Sequence, residues 1–370
     1  MGKVTDGLLL PFQLVLVLCK LGYAAVTAPL YSTSPSFFEH VGNAGVRSLL
    51  GDLSPSQLQL IVPPFLDAWR SLCAQNHLEA PIVPIPDTKA SGFWIGDPRK
   101  AKYFSLYVHG GGYVIPGSEG HLKMLYKMVN WSDGKLALFC VAYTLSPEAI
   151  YPQALSECVE GLRYMFSLPQ VRPANTLLTG DSAGGAIVLA ILSHISAHPH
   201  PDSAIVKPLQ LEGGQSLKSA ILINPFISSS SARYASIKRF QYRDTFNEST
   251  ADAWLTAYNG GKSGFEDDMY ICPAHADESW WKGTKCGEIL CTAGGEESLL
   301  DSIIDWSEKY RKGMAGGKRR GDDAVKLVVG EKETHIMPVL APYDEDKLDA
   351  LGEKSTEGAI RAWIREELAS

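Results

Sequence analysis

The chain has 370 residues, with 34 Lys and Arg against 41 Asp and Glu, a formal net charge of −7; apolar residues make up 45% and charged residues 20%. That balance belongs to a folded globular protein, not a disordered one. The acidic excess argues against a nucleic-acid partner, which would require a basic stripe.

The N-terminal run Leu8–Leu18 is apolar but interrupted by Pro11 and Gln13 and followed by Lys20, so it falls short of the roughly 20 residues that span a bilayer. It is expected to be a helix of a lid over an active site. A secretory signal is the alternative, with Lys3 ahead of the run and Val26-Thr27-Ala28 as the cleavage site, although Asp6, Pro11 and Lys20 break that pattern. A peripheral membrane contact through residues 8–28 is left open. The seven cysteines are scattered, odd in number and without a C-x-x-C pair. They imply neither a zinc knuckle nor a disulfide framework, and fit buried thiols in a reducing, cytoplasmic setting.

Past residue 85 the pattern becomes regular. Phe93–Ile95, Tyr103–Val108, Leu136–Ala142, Thr176–Thr179, Ala220–Ile223, Ile289–Thr292 and Val325–Val329 read as strands. Tyr151–Leu168, Ala183–Ala197, Leu299–Lys312 and Thr356–Leu368 read as helices between or after them. Near-continuous apolar strands alternating with helices predict an α/β fold with a mostly parallel sheet covered on both faces. Two stretches stay outside this rhythm, residues 1–85 and 226–285. They are expected to form a helical cap in two segments, with 86–225 and 286–370 as the core. The short loop 316–323 mixes charges of both signs.

Two glycine motifs follow strands. After Tyr103–Val108 comes His109-Gly110-Gly111-Gly112-Tyr113, whose unshielded backbone N–H groups can face an oxygen that becomes negative during reaction. A phosphate cradle would need a following Lys and Ser or Thr, and Tyr113-Val114-Ile115 offers neither. After Thr176–Thr179 comes Gly180-Asp181-Ser182-Ala183-Gly184, a strand-to-helix turn on which Ser182 would stand clear of the sheet at a helix N-terminus. The aromatic residues of the two expected cap segments, among them Trp254 and Tyr258, serve mostly as packing, with some lining an apolar pocket.

The pairing of H-G-G-G-Y with G-D-S-A-G-G about seventy residues later, and the segment Tyr143-Thr-Leu-Ser-Pro147-Glu148 with Tyr151-Pro152-Gln-Ala154-Leu155 between them, resembles the hormone-sensitive-lipase branch of the α/β-hydrolase superfamily over residues 85–370. The resemblance implies a serine carboxylester hydrolase with the chain order Ser, acid, His. Ser182 is then the nucleophile, and His335, after the strand Val325–Val329, the base. Laying Leu299 on the family's leucine puts Glu297 at the acid, with Glu296 and Asp301 as weaker candidates. The family's usual Asp is replaced here, and Ile336-Met337 stand where Gly-Phe commonly follows the histidine. The resemblance also implies an oxyanion hole from Gly111, Gly112 and Ala183, with His109 and Gly110 supporting the loop. Asp181 is read as a structural partner for nearby loops. His194, His198 and His200 lie roughly 18 Å along the helix from Ser182 and are expected to be a solvated helix end, so no metal is expected, and no cofactor. The implied substrate is a small ester. Ser249–Tyr258 and Trp280-Trp281-Lys282-Gly283 resemble fungal members that process acylated secondary metabolites. An acyltransferase, a dehydratase or cyclase, and a small-molecule receptor on the same scaffold remain open, as does a homodimer, common in the family.

Overall fold

The apolar runs of the sequence form one eight-stranded sheet: β1 (Val83–Pro84), β2 (Ser91–Ile95), β3 (Tyr103–Val108), β4 (Leu136–Ala142), β5 (Thr176–Asp181), β6 (Leu217–Ile223), β7 (Cys286–Gly294) and β8 (Val325–Gly330). This computed structural model describes residues 2–31, 34, 36–315 and 324–368, so the mixed-charge loop 316–323 lies outside the described residues. The strand order is β1-β2-β4-β3-β5-β6-β7-β8. β2 pairs antiparallel with β1 and β4, and the ladder from β4 to β8 is parallel.

Period-2 geometry sends alternate side chains to opposite faces. In β4, Ala137, Phe139 and Val141 join one core cluster while Leu136, Leu138 and Cys140 join the other. Helices α1 (Gly2–Tyr31), α2 (Phe37–Asp52), α3 (Pro55–Ile61) and α4 (Phe65–Gln75) precede the sheet, and α5 (Glu119–Trp131), α6 (Gln153–Phe166) and α7 (Ala183–Ile195) follow β3, β4 and β5. The β6–β7 connection carries α8 (Ser236–Arg239) and α9 (Glu248–Tyr258); α10 (Leu300–Met314), α11 (Met337–Leu340), α12 (Glu345–Leu351) and α13 (Thr356–Glu367) complete the chain. Leu155 and Leu162 of α6, Val188 and Ile191 of α7 and Trp306 of α10 pack on one face, and Leu125 of α5 with Trp363 of α13 on the other.

The N-terminus departs from the sequence expectation. The apolar run does not stop at Lys20: α1 continues to Tyr31 with Pro11 and Pro29 inside it, and Asp6–Leu30 is long and apolar enough to cross a membrane by length and composition. The two apparent interruptions are neutralised by partners. Lys20 pairs with Asp52 at 2.7 Å, and Gln13 donates to the Asp52 carbonyl at 3.1 Å. Six cysteines are buried, whereas Cys19 on α1 is exposed.

Candidate active site

β5 runs straight into the helix α7 through Ser182, whose φ of 49° and ψ of −122° lie in a region that side chains rarely adopt. The flanking glycines permit it. A Cβ on Gly184 would stand 2.0 Å from the Val108 carbonyl oxygen, and one on Gly180 would stand 2.5 Å from Gly184. Ser182 Oγ lies 2.8 Å from His335 Nε2. Both residues are only 4% exposed, so the pair sits beneath covering structure.

Glu297 faces the other imidazole nitrogen: Oε2 is 3.7 Å from His335 Nδ1, and Glu297 is fully buried. That Oε2 also accepts the Gly294 N–H at 2.9 Å and a short bond from Asn224 Nδ2, which fix the carboxylate beside the ring. Burial acts to lower the His335 pKa, but Glu297, with Asp244 and Asp181 behind it, more than offsets this and raises it above the ordinary histidine value. The structure thus gathers Ser182, Glu297 and His335 in one place. It separates the two weaker acid candidates, for Glu296 pairs with Arg243 and Asp301 with Arg239.

The glycine loop after β3 turns back beside the serine. Gly111 (φ 100°), Gly112 (φ 59°) and Tyr113 (φ 65°) all take left-handed backbone, and among the described residues the N–H groups of Gly111 and Gly112 have no acceptor. Ala183 follows the serine as the first residue of α7, so its N–H is one of the donors that a helix start leaves unpaired. Close packing forbids side chains in the loop: a Cβ on Gly110 would meet Asp181 Oδ2 at 2.3 Å, and one on Gly112 would meet the Trp254 ring at 2.2 Å. Asp181 braces the loop, accepting from Gly110 N and Tyr107 Oη and facing His121 Nε2 at 3.3 Å. His109 lies behind the loop, stacked on Tyr143 with Nδ1 2.7 Å from the Gly110 carbonyl oxygen. Burial and the neighbouring His121 hold its pKa down to about 4, so this imidazole is neutral at pH 7.

Several residues of the site carry no signal in the sequence. Asn224, with φ 46°, bridges Glu297 and Thr292. Asp244 accepts the N–H groups of His335, Thr245 and Ser298 at 2.9, 2.8 and 2.6 Å, joining the histidine loop to the glutamate loop. Phe246 stands edge-on to His335 at 5.0 Å and adjoins Trp254, while Tyr258 stacks on Tyr113. From the N-terminal side, Asn43 of α2 donates to the Arg243 carbonyl and to Thr334 Oγ1, and Arg47 to the Asp244 carbonyl. Asn43 and Phe246 could have been found only by knowing the fold.

The histidines at the end of α7 correct the expectation of a solvated helix end. His194 and His200 are buried, His200 bonds Tyr151 Oη at 2.8 Å, and His198 stacks on Trp280 at 3.8 Å. Among the described residues no group of His, Cys, Asp and Glu has the arrangement of a metal site.

A family model described as the alpha/beta hydrolase fold matches residues 105–337. An alpha/beta hydrolase of Acanthamoeba polyphaga mimivirus is 35% identical over 25% of this chain and 28% of its own length. The esterase LipU of Mycobacterium tuberculosis is 32% identical over 29% of this chain and 36% of its own length. The match therefore spans about a quarter to a third of these relatives. Among solved structures, an esterase from the bacterial hormone-sensitive lipase family superposes with a TM-score of 0.60 at 18% identity, covering 95% of this chain and 98% of that one. The fungal esterases from Rhizomucor miehei give 0.61 at 17% identity, covering 84% and 91%. These two likenesses are likenesses of fold.

Proposed function

The chain belongs to the alpha/beta hydrolase fold family, and from that premise we propose that it hydrolyses carboxylic esters through an acyl-enzyme on Ser182. The observation that carries this reading is the 2.8 Å contact between Ser182 Oγ and His335 Nε2 on a strained turn, beside backbone donors that have no acceptor among the described residues. His335 takes the hydroxyl proton as Oγ attacks the ester carbonyl, and Glu297 stabilises the imidazolium that forms. The N–H groups of Gly111, Gly112 and Ala183 receive the oxyanion; one such donor is typically worth about 100- to 1000-fold in rate. His335 returns the proton to the leaving alcohol, then activates water against the acyl-enzyme.

Phe246 beside His335, Trp254 against Gly112 and Tyr258 on Tyr113 favour a small apolar acyl or alcohol group. An acylated secondary metabolite is the natural substrate we put forward, on the likeness of Ser249–Tyr258 to fungal relatives. The test pairs a fluorophosphonate probe with p-nitrophenyl esters from acetate to octanoate. Labelling and turnover are both expected in the native protein and both lost in Ser182→Ala. Labelling that survives in Ser182→Ala refutes the nucleophile. Labelling without ester turnover, or ester exchange onto an added alcohol in place of hydrolysis, moves the assignment to acyl transfer or to proton-transfer chemistry on the same scaffold.

A further inference from the structure

Helix α1 is apolar even on the side that it turns to solvent. Its inward stripe holds Val17, Ala24 and Ala28 with the half-buried Gln13, which bonds Asp52 of α2 and Gln57 of α3, and the exposed Lys20 reaches Asp52 from the edge. Its outward stripe holds Leu8, Phe12, Val15, Tyr23, Val26 and Leu30, each at least 60% exposed. With the exposed Cys19 between Val15 and Tyr23, these positions recur every three or four residues and run for about 33 Å at the helical rise. A soluble surface helix is polar on that side, and a contiguous apolar patch of this extent marks an interaction surface.

A groove of about 550 Å³ flanks this stripe, lined by Lys20, Arg47, Arg239 and Arg243 together with the rings of Tyr23 and Tyr242, and by no carboxylate among its lining residues. Lys20 pairs with Asp52, Arg239 with Asp301 and the buried Arg243 with Glu39 and Glu296, all carboxylates outside the groove, whereas Arg47 bonds a backbone carbonyl. Arg239, half exposed at the rim of the groove, can exchange Asp301 for a phosphate headgroup next to acyl chains.

We propose that α1 is a membrane-surface helix that lies in the plane of an anionic phospholipid leaflet, its apolar stripe among the acyl chains and the cationic groove on the headgroups. Gln13 and Lys20 tie α1 lengthwise along α2 and α3, which holds it in the plane and prevents it from crossing the bilayer while those bonds stand. A second copy docking through the same stripe would bring two cationic grooves together, while an anionic surface neutralises them.

Cys19, the exposed cysteine on α1, supplies the probe. With nitrobenzoxadiazole on Cys19 of the full chain, phosphatidylcholine vesicles containing phosphatidylglycerol should shift the emission to the blue and carry the protein with them on flotation. Phosphatidylcholine alone should bind more weakly. Phe12→Glu with Val26→Glu should weaken partition about tenfold or more, and Arg239→Gln about fivefold on the anionic vesicles only. Turnover of a water-soluble p-nitrophenyl ester should be unchanged in these variants, which shows that they are folded and separates this inference from the esterase reading. Emission that ignores both vesicle types overturns the proposal. So does a dimer, by light scattering, that Phe12→Glu with Val26→Glu dissociates without any vesicle binding in the native protein.

Discussion

The 3.7 Å between His335 Nδ1 and Glu297 Oε2 exceeds a direct hydrogen bond, so in this state the carboxylate acts on the ring mainly as a nearby buried charge. A negative charge there favours the imidazolium, which is why the His335 pKa is raised despite burial. The reaction needs the neutral ring, so kcat/KM should fall as pH drops through a value above the ordinary 6.5 or so of histidine. Glu297→Gln removes the charge, and the acid limb should move to lower pH while kcat drops by about 10²- to 10⁴-fold; a pH–rate profile of both proteins checks the sign, and an unmoved limb refutes it. Gly112→Ala forces a methyl group against the Trp254 ring at a φ of 59°. Its kcat should fall about 100-fold with little change in KM, measured on p-nitrophenyl butyrate. Ser182 and its glycines were readable because steric necessity writes them as fixed spacings. Asn224 and Asp244 were not, since a single polar residue acquires its role only from what the fold brings to it.

At the level of elements, the segment that connects β6 to β7 reaches over to brace both loops through the Asp244 carboxylate, which accepts three backbone N–H groups. Asparagine retains only one acceptor oxygen and places an NH₂ against the remaining donors. Asp244→Asn should therefore cost about 2 kcal/mol or more of stability in urea unfolding, and lower kcat more than it raises KM because the base loses its anchor. Unchanged stability would show that water replaces those contacts. Seven of the eight strands were legible to within a few residues, for strands buried on both faces are uninterrupted apolar runs, whereas the two-residue edge strand β1 carries no such run. Helix α5 was passed over, although Leu122, Leu125, Met128 and Trp131 recur every three residues on its buried side. Its N-terminus is capped through Ser118 and His121, not through the Glu or Gln that marks a helix start in sequence. The full extent of α1 was hidden because Gln13 and Lys20 look like breaks until their partners on α2 and α3 are known.

Across the whole molecule, α2 is the piece that the two ends of the structure share. On one side Asp52 holds α1 through Lys20; on the other, Asn43 and Arg47 hold Thr334 and the Asp244 carbonyl, next to the catalytic histidine. The serine beneath is only 4% exposed. Lifting α2 to admit a guest would therefore strip the neighbours of the base, Thr334 and the Asp244 carbonyl, of these contacts in the same stroke.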